Sequence, residues 1–265
     1  MDRPARMALR GLFNLVFPDH CKVCSSPLED VSRVPVCKTC LDAPKPLQSE
    51  YWCDRCRAPF LTPWFLVEGL CDMCRGDEAG STIKGFDTAY TYGPYEGELR
   101  RLIQLFKYQR IHTLSAPLGR LLVSGLPTHE QFDWIVPIPL HWRRRWQRGF
   151  NQAELLARIV ARHSGVNLVS ALKRKHSTVA QAGLSDAQRR TNTEHAFRLA
   201  DKHRDAVKGK HILLIDDVLT TGATLSAASR VLRRAGARRI TVLTVARADR
   251  RSPWSQLAQT GSSNQ

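Results

Sequence analysis

Eight cysteines fall within the first 80 residues as four Cys-x-x-Cys pairs: Cys21/Cys24, Cys37/Cys40, Cys53/Cys56 and Cys71/Cys74. The gaps between successive pairs are 12, 12 and 14 residues. Each pair makes a tight turn that aims two thiolates at one point, and two such turns supply the four tetrahedral ligands of a structural Zn²⁺. A segment of about 60 residues with few large apolar side chains needs such staples to fold. Disulfides would require an oxidising compartment, and no secretory signal is visible. Four pairs in a row do not fit a single redox dithiol, and the tight run of a bacterial ferredoxin cluster is absent. The spacing therefore predicts two structural zinc sites with closed ligand shells. Neighbouring pairs (21/24 with 37/40, 53/56 with 71/74) give the simplest partition, and an interleaved one stays open at this point.

The remainder of the chain is physically different. The 265 residues carry 40 Lys and Arg against 24 Asp and Glu, a net charge of +16. Residues 1–80 hold 10 of the basic and 11 of the acidic residues, so the whole excess lies beyond residue 80. So basic a region tends to meet phosphates or anionic surfaces. The stretch GDEAGSTIKG (76–85) reads as the linker between the two parts. At the N-terminus Leu9, Leu12, Phe13, Val16 and Phe17 recur at helical spacing, which predicts a helix packing on the body of the protein. A hydrophobic content of 43% and a charged content of 24% exclude collagen, a long coiled coil and bulk disorder. No apolar run approaches the roughly 20 residues of a membrane-spanning helix, which predicts a chain without a transmembrane segment.

In the basic part, FDTAYTY (86–92), FDWIVPIP (132–139), HILLIDD (211–217) and ITVLTVA (240–246) read as strands. YEGELRRLIQLFKYQ (95–109), NQAELLARIVARH (151–163) and TLSAASRVLRRAG read as helices, and HWRRRWQRGF (141–150) as a loop. Strand, helix, strand with short turns is a βαβ unit, so the expected class is α/β with a parallel sheet between helices. Ligands on such sheets bind at the carboxyl ends of strands, where both the Asp216-Asp217 pair and the Arg-rich loop fall.

The run Leu213-Leu214-Ile215-Asp216-Asp217-Val218-Leu219-Thr220-Thr221-Gly222-Ala223-Thr224 carries the clearest chemistry. Thr220, Thr221 and Thr224 offer hydroxyls at a helix start, and Gly222 lets the backbone approach a ligand. Free N–H groups and the helix dipole make such a turn a phosphate cradle. Two adjacent carboxylates beside it suit a diol or a hydrated Mg²⁺, and a phosphate next to a diol describes a ribose 5-phosphate. A P-loop ATPase would need a G-x-x-x-x-G-K-[ST] segment, and none exists here. The whole run resembles the 5-phosphoribosyl-1-pyrophosphate (PRPP) motif of type I phosphoribosyltransferases. By that resemblance Asp216 and Asp217 hold the ribose hydroxyls and Thr220 to Thr224 the 5′-phosphate. Pyrophosphate is bound in that family by a basic loop after an earlier strand, plus Mg²⁺. Val136-Pro137-Ile138-Pro139 followed by Arg143, Arg144, Arg145 and Arg148 is placed for it, and guanidinium forks suit phosphate oxygens.

The words RRRWQRGFNQAELLA, with the cysteine pairs, Thr178, Gln181, Leu184, Arg189 and Asn192, resemble the ComF (competence protein F, GntX-like) family along nearly the whole chain. The resemblance implies a type I phosphoribosyltransferase fold behind a four-cysteine zinc-ribbon region. Residues 1–80 would be the double zinc ribbon with its N-terminal helix, 81–248 the phosphoribosyltransferase-like domain, and 249–265 a disordered tail. It also implies a role in natural transformation, in which incoming single-stranded DNA is handled on the cytoplasmic side with DNA-uptake proteins. Residues 173–195 match the mobile lid of type I enzymes, with Arg189 or Arg190 closing over pyrophosphate. Lys107 and Tyr108 resemble a family Lys-Tyr segment and receive no chemical role. His112, His141 and His163 lack ligand spacing. Two functions are weighed: a PRPP-binding DNA-uptake factor, in which Trp142, Trp146 and Phe150 stack bases among arginines, and a Mg²⁺-dependent phosphoribosyltransferase acting on a small-molecule acceptor. A regulator that senses PRPP without turning it over is a third.

Overall fold

The computed structural model describes residues 20–28, 33–75, 85–174 and 196–248. The expected N-terminal helix, the 76–85 linker except Gly85, residues 175–195 of the expected 173–195 lid with Thr178, Arg189 and Asn192, and the 249–265 tail lie outside these.

The cysteine region is built from short pieces: α1 (Lys38–Asp42), β1 (Tyr51–Trp52), β2 (Pro59–Phe60) and α2 (Asp72–Arg75). The remainder is an open sheet formed by β3 (Thr88–Pro94), β4 (Trp134–Pro137), β5 (Asn167–Leu168), β8 (His211–Leu219) and β9 (Arg239–Arg247). The strand order is β3-β9-β8-β4-β5 and every pairing is parallel. A small antiparallel ribbon, β6 (Leu172–Arg174) with β7 (Phe197–Leu199), stands beside it. The fold class expected from the sequence is therefore present.

Parallel strands covered on both faces read as continuous apolar runs, and β8 and β9 do. Alternation divides their side chains between two cores. Leu213, Ile215, Leu243 and Val245 pack under α3 (Gly97–Tyr108), α4 (Ser115–Ser124) and α6 (Gln152–Ser164), through Leu102, Leu118, Leu156 and others. Ile212, Leu214, Ile240 and Val242 pack under α7 (Ala223–Arg234), through Leu225, Ala228 and Leu232.

Two readings shift. The run Trp142–Arg148, expected as a loop, is the two-turn helix α5. Its N-terminus is capped by His141 Nδ1, which accepts from Arg143 N–H at 3.3 Å, and it closes at Gly149 with φ of 81°. Arginine is a good helix former, and the glycine after Arg148 is a usual stop signal. Strand β8 does not end at Asp217 but runs on to Leu219, because β9 is long enough to pair Val218 with Ala246 and Leu219 with Arg247.

The cysteine region lies along the edge of the sheet. Leu47 N–H donates to Tyr92 O at 2.7 Å, Ala89 N–H donates to Arg55 O at 2.8 Å, and the Tyr92 hydroxyl donates to Pro44 O at 2.8 Å. The chain from the second cysteine pair into the third thus covers the open side of β3, a strand edge that would otherwise be exposed. A side chain cannot replace Gly93 here: a Cβ would stand 2.7 Å from the Lys45 carbonyl oxygen.

Candidate functional site

The eight cysteines form two groups, Cys21/Cys24/Cys37/Cys40 and Cys53/Cys56/Cys71/Cys74, each with its sulfurs within 4.8 Å of one another. Neighbouring pairs are combined, so the partition left open by the sequence is resolved. Four sulfurs about 2.3 Å from one ion lie about 3.8 Å apart. The observed separations are 3.7 Å for Cys24–Cys37 and 3.6 Å for Cys56–Cys71. These fit a shared tetrahedral ion, and all eight thiols are free of disulfides. The same local geometry occurs twice. Ser25 and Arg57, each directly after the second cysteine of a pair, have φ of 62° and 51°. Their N–H groups donate to Cys21 O and Cys53 O at 2.9 and 2.8 Å. Cys37 N–H and Cys71 N–H donate to the sulfurs of Cys21 and Cys53 at 3.3 and 3.4 Å. Such donors stabilise thiolates. The groups differ in depth: the second is buried at all four cysteines, whereas Cys24 in the first is exposed. Hydrogen bonds among the thiols pull Cys53 far below the ordinary range and push Cys71 and Cys74 above it.

The second feature is a cavity of about 540 Å³ at the carboxyl ends of β4 and β8. Asp216, Asp217, Val218, Thr220 and Thr224 line one side. Leu219 is buried beneath them, and Gly222, with φ of 73°, begins α7. Thr221 Oγ1 accepts from Ala223 N–H at 3.5 Å. The first turn of α7, whose N–H groups have no helical partner, is thus set at the cavity's rim. Asp217 N–H donates to Asp216 Oδ1 at 2.9 Å. Protein packed around the Asp216 carboxyl, with the Asp217 carboxylate beside it, pushes its pKa up to about 7. Asp217 is buried and paired with Lys107, Nζ to Oδ1 2.8 Å. Burial acts to lower the Lys107 pKa, but the Asp217 carboxylate outweighs it and holds the ammonium above its ordinary value.

Opposite stand Arg144 and Arg148, one helical turn apart on α5. Arg148 donates to Gln152 Oε1 at 3.2 Å and lies over the Tyr108 ring at 5.2 Å. Arg143 is not among the lining residues; its guanidinium lies 5.3 Å from the Trp142 ring. Arg189 lies outside the described residues. Among the lining residues that the sequence reading did not offer as site groups are the polar side chains of Tyr95, Lys107, Asn151, Gln152 and Arg174. Burial lowers the Arg174 pKa, with Arg144 nearby adding to it. Asn151 Nδ2 donates to Ile138 O at 3.0 Å and fastens the start of α6 to the loop after β4. Lys107, Arg144, Arg148 and Arg174 thus face two carboxylates, and the cavity is arranged for an anion that also carries hydroxyls.

A parallel sheet whose acidic strand end turns through Thr and Gly into a helix, under a ring of cations, defines a phosphoribosyltransferase domain. The family profile of the phosphoribosyl transferase domain matches residues 149–265. The chain belongs to the competence protein F (ComF) family. It is 38% identical over 170 residues to Competence protein F of Haemophilus influenzae, covering 62% of this chain and 74% of that one. It is 31% identical over 238 residues to DNA utilization protein YhgH of Salmonella typhi, covering 86% and 96%. Competence protein ComFC of Bacillus subtilis is 37% identical over 102 residues, 38% of this chain and 39% of that one.

Proposed function

We propose that the cavity binds PRPP with Mg²⁺, that each four-cysteine group holds a structural Zn²⁺, and that the protein serves DNA uptake by handling single-stranded DNA in the cytoplasm. The observation that carries the ligand reading is the juxtaposition of Asp216 and Asp217 with the Thr220–Thr224 turn beneath four cations. In this reading the two carboxylates accept from the ribose 2′- and 3′-hydroxyls. The turn and the start of α7 take the 5′-phosphate. Arg144, Arg148 and Arg174 take the pyrophosphate, whose oxygens match guanidinium forks. Bound Mg²⁺ would neutralise pyrophosphate charge beside the acidic pair. Lys107, 2.8 Å from Asp217 Oδ1, holds that side chain in place at the rim where a ribose hydroxyl would dock.

Calorimetry with Mg²⁺ and PRPP tests this. Wild type is expected to bind, and Asp216→Asn with Asp217→Asn to bind about 100-fold more weakly, the loss of two charged acceptors. Equal affinities would remove the ribose assignment.

The DNA reading is supported by the names of the relatives and by the exposed flank of α5. Trp142 and Trp146 are 52% and 83% exposed, among Arg143 and Arg145. Base stacking on such rings contributes about 1–3 kcal/mol per base. Affinity for an oligo-dT strand, followed by fluorescence anisotropy, is expected to fall steeply with salt and to drop about tenfold in Trp146→Ala. A flat salt response would remove it.

A further inference from the structure

One buried cation connects the two features. Arg247, the last residue of β9, is 5% exposed. Its Nη1 donates to the Cys56 carbonyl oxygen at 2.8 Å, and its Nη2 donates to Cys56 Sγ at 3.5 Å. Its main chain faces the cavity's rim on both sides. It pairs with Leu219 across the sheet, and the next residue, Ala248, donates its N–H to Leu219 O at 2.9 Å. On the other side Tyr95 N–H donates to Arg247 O at 2.8 Å. Leu219 directly precedes the Thr220–Thr224 turn, and Tyr95 lines the cavity. A second arginine braces the same cysteine group: Arg55 Nη1 donates to Cys74 O at 2.7 Å, and its own carbonyl accepts from β3. The first group has no such connection to the strand ends among the described residues; its neighbours are on α3.

Charge gives this contact a direction. Four thiolates on one divalent cation carry a net charge of about −2. The buried Arg247 guanidinium, hydrogen-bonded to Cys56 O and Cys56 Sγ, is of opposite charge to such a loaded group and is attracted to it. Metal loading therefore holds Arg247 in place, and Arg247 holds residue 219 and Tyr95. Linkage is reciprocal, so whatever tightens the turn also tightens the metal.

We propose that Arg247 is a positioning residue that makes metal loading at Cys53/Cys56/Cys71/Cys74 and anion binding at the Thr220–Thr224 turn mutually reinforcing. The anion half rests on the PRPP reading above; the metal half does not.

The test uses the zinc-loaded full chain. Zinc release to a chromophoric chelator is followed with and without PRPP and Mg²⁺. Saturating PRPP is expected to slow the release of one of the two zinc ions about tenfold in wild type, to leave the other unchanged, and to have no effect on either in Arg247→Gln. An unchanged release of both ions from PRPP-bound wild type, or a retained effect in the variant, overturns the proposal. Amide hydrogen exchange at residues 219–224 separates this from failure of the ligand reading. Without any ligand, Arg247→Gln with both zinc ions bound is expected to exchange there about tenfold faster than wild type. Equal exchange overturns the positioning role whether or not PRPP binds. Should Arg247→Gln fail to fold, Arg247→Lys, which keeps the charge and one donor, is expected to show an intermediate rate, and a wild-type rate overturns the proposal.

Discussion

Cys71→Ser is expected to undo far more than one metal site. All four cysteines of the second group are buried, and they share a core with Phe86, Val136, Ile212 and Leu214 of the sheet. Structural zinc contributes an apparent binding free energy of roughly 10–16 kcal/mol to such sites, against a total stability of about 5–15 kcal/mol for a typical domain. The variant should retain one zinc per chain by metal analysis. It should also lose its cooperative thermal transition, or show it about 15 °C lower or more. Cys24→Ser removes a ligand that is exposed, from a group seated on α3 beyond the sheet. It should also retain one zinc, while keeping a transition within about 5 °C of wild type. Equal losses from the two variants would mean that depth in the fold does not govern what each ion contributes.

The second large effect concerns Asp216. Its carboxyl pKa is raised to about 7 because the packed wall of the cavity and the Asp217 carboxylate both disfavour its charge. A carboxyl that holds its proton more tightly in the folded chain than in the unfolded one stabilises that chain while protonated. The contribution is fully present only below the ordinary carboxylate range and is lost progressively as pH rises from there through about 7. At about pH 8 two adjacent carboxylates then face one another with Lys107 on the second. Asp216→Asn removes this conflict. It should raise the melting temperature at about pH 8 by about 3–8 °C, with a clearly smaller gain at about pH 5. The same variant should lose PRPP affinity by about tenfold, because one neutral amide replaces one of the two charged acceptors toward the diol. Stabilisation together with loss of ligand is the signature of a site held in strain for binding. A variant that is no more stable in mild base than wild type would remove that account.

The metal groups and the acidic turn were legible because each is written in contiguous residues. A Cys-x-x-Cys pair forms its own turn, and Asp216 to Thr224 bring carboxylates and hydroxyls together with no help from distant chain. Lys107 is different. It stands 110 positions before Asp217, and only the crossover from β3 through α3 brings its ammonium to that carboxylate. Arg174 enters from a three-residue strand whose partner lies beyond the 175–195 stretch. Nothing in the local pattern gives either residue a chemical role, although Lys107 with Tyr108 resembles a family segment. The difference at α5 has another source. A run of arginines between tryptophans carries no apolar period, since none of its residues is buried, and period is the main helix signal. The glycine stop was there to be read. Leu219 as the true strand end was not, since it depends on how far β9 extends.

The order β3-β9-β8-β4-β5 sets the timing of assembly. Strand β9, the last of the sheet in chain order, lies between β3 and β8, and its final residue reaches back to Cys56. All eight cysteines leave the ribosome long before it. A nascent chain halted short of Arg239 would therefore carry all eight cysteines and most of the cavity, yet β3 and β8 would have a gap between them. Closure of the sheet is thus concentrated in one late event, the insertion of a single strand between two others.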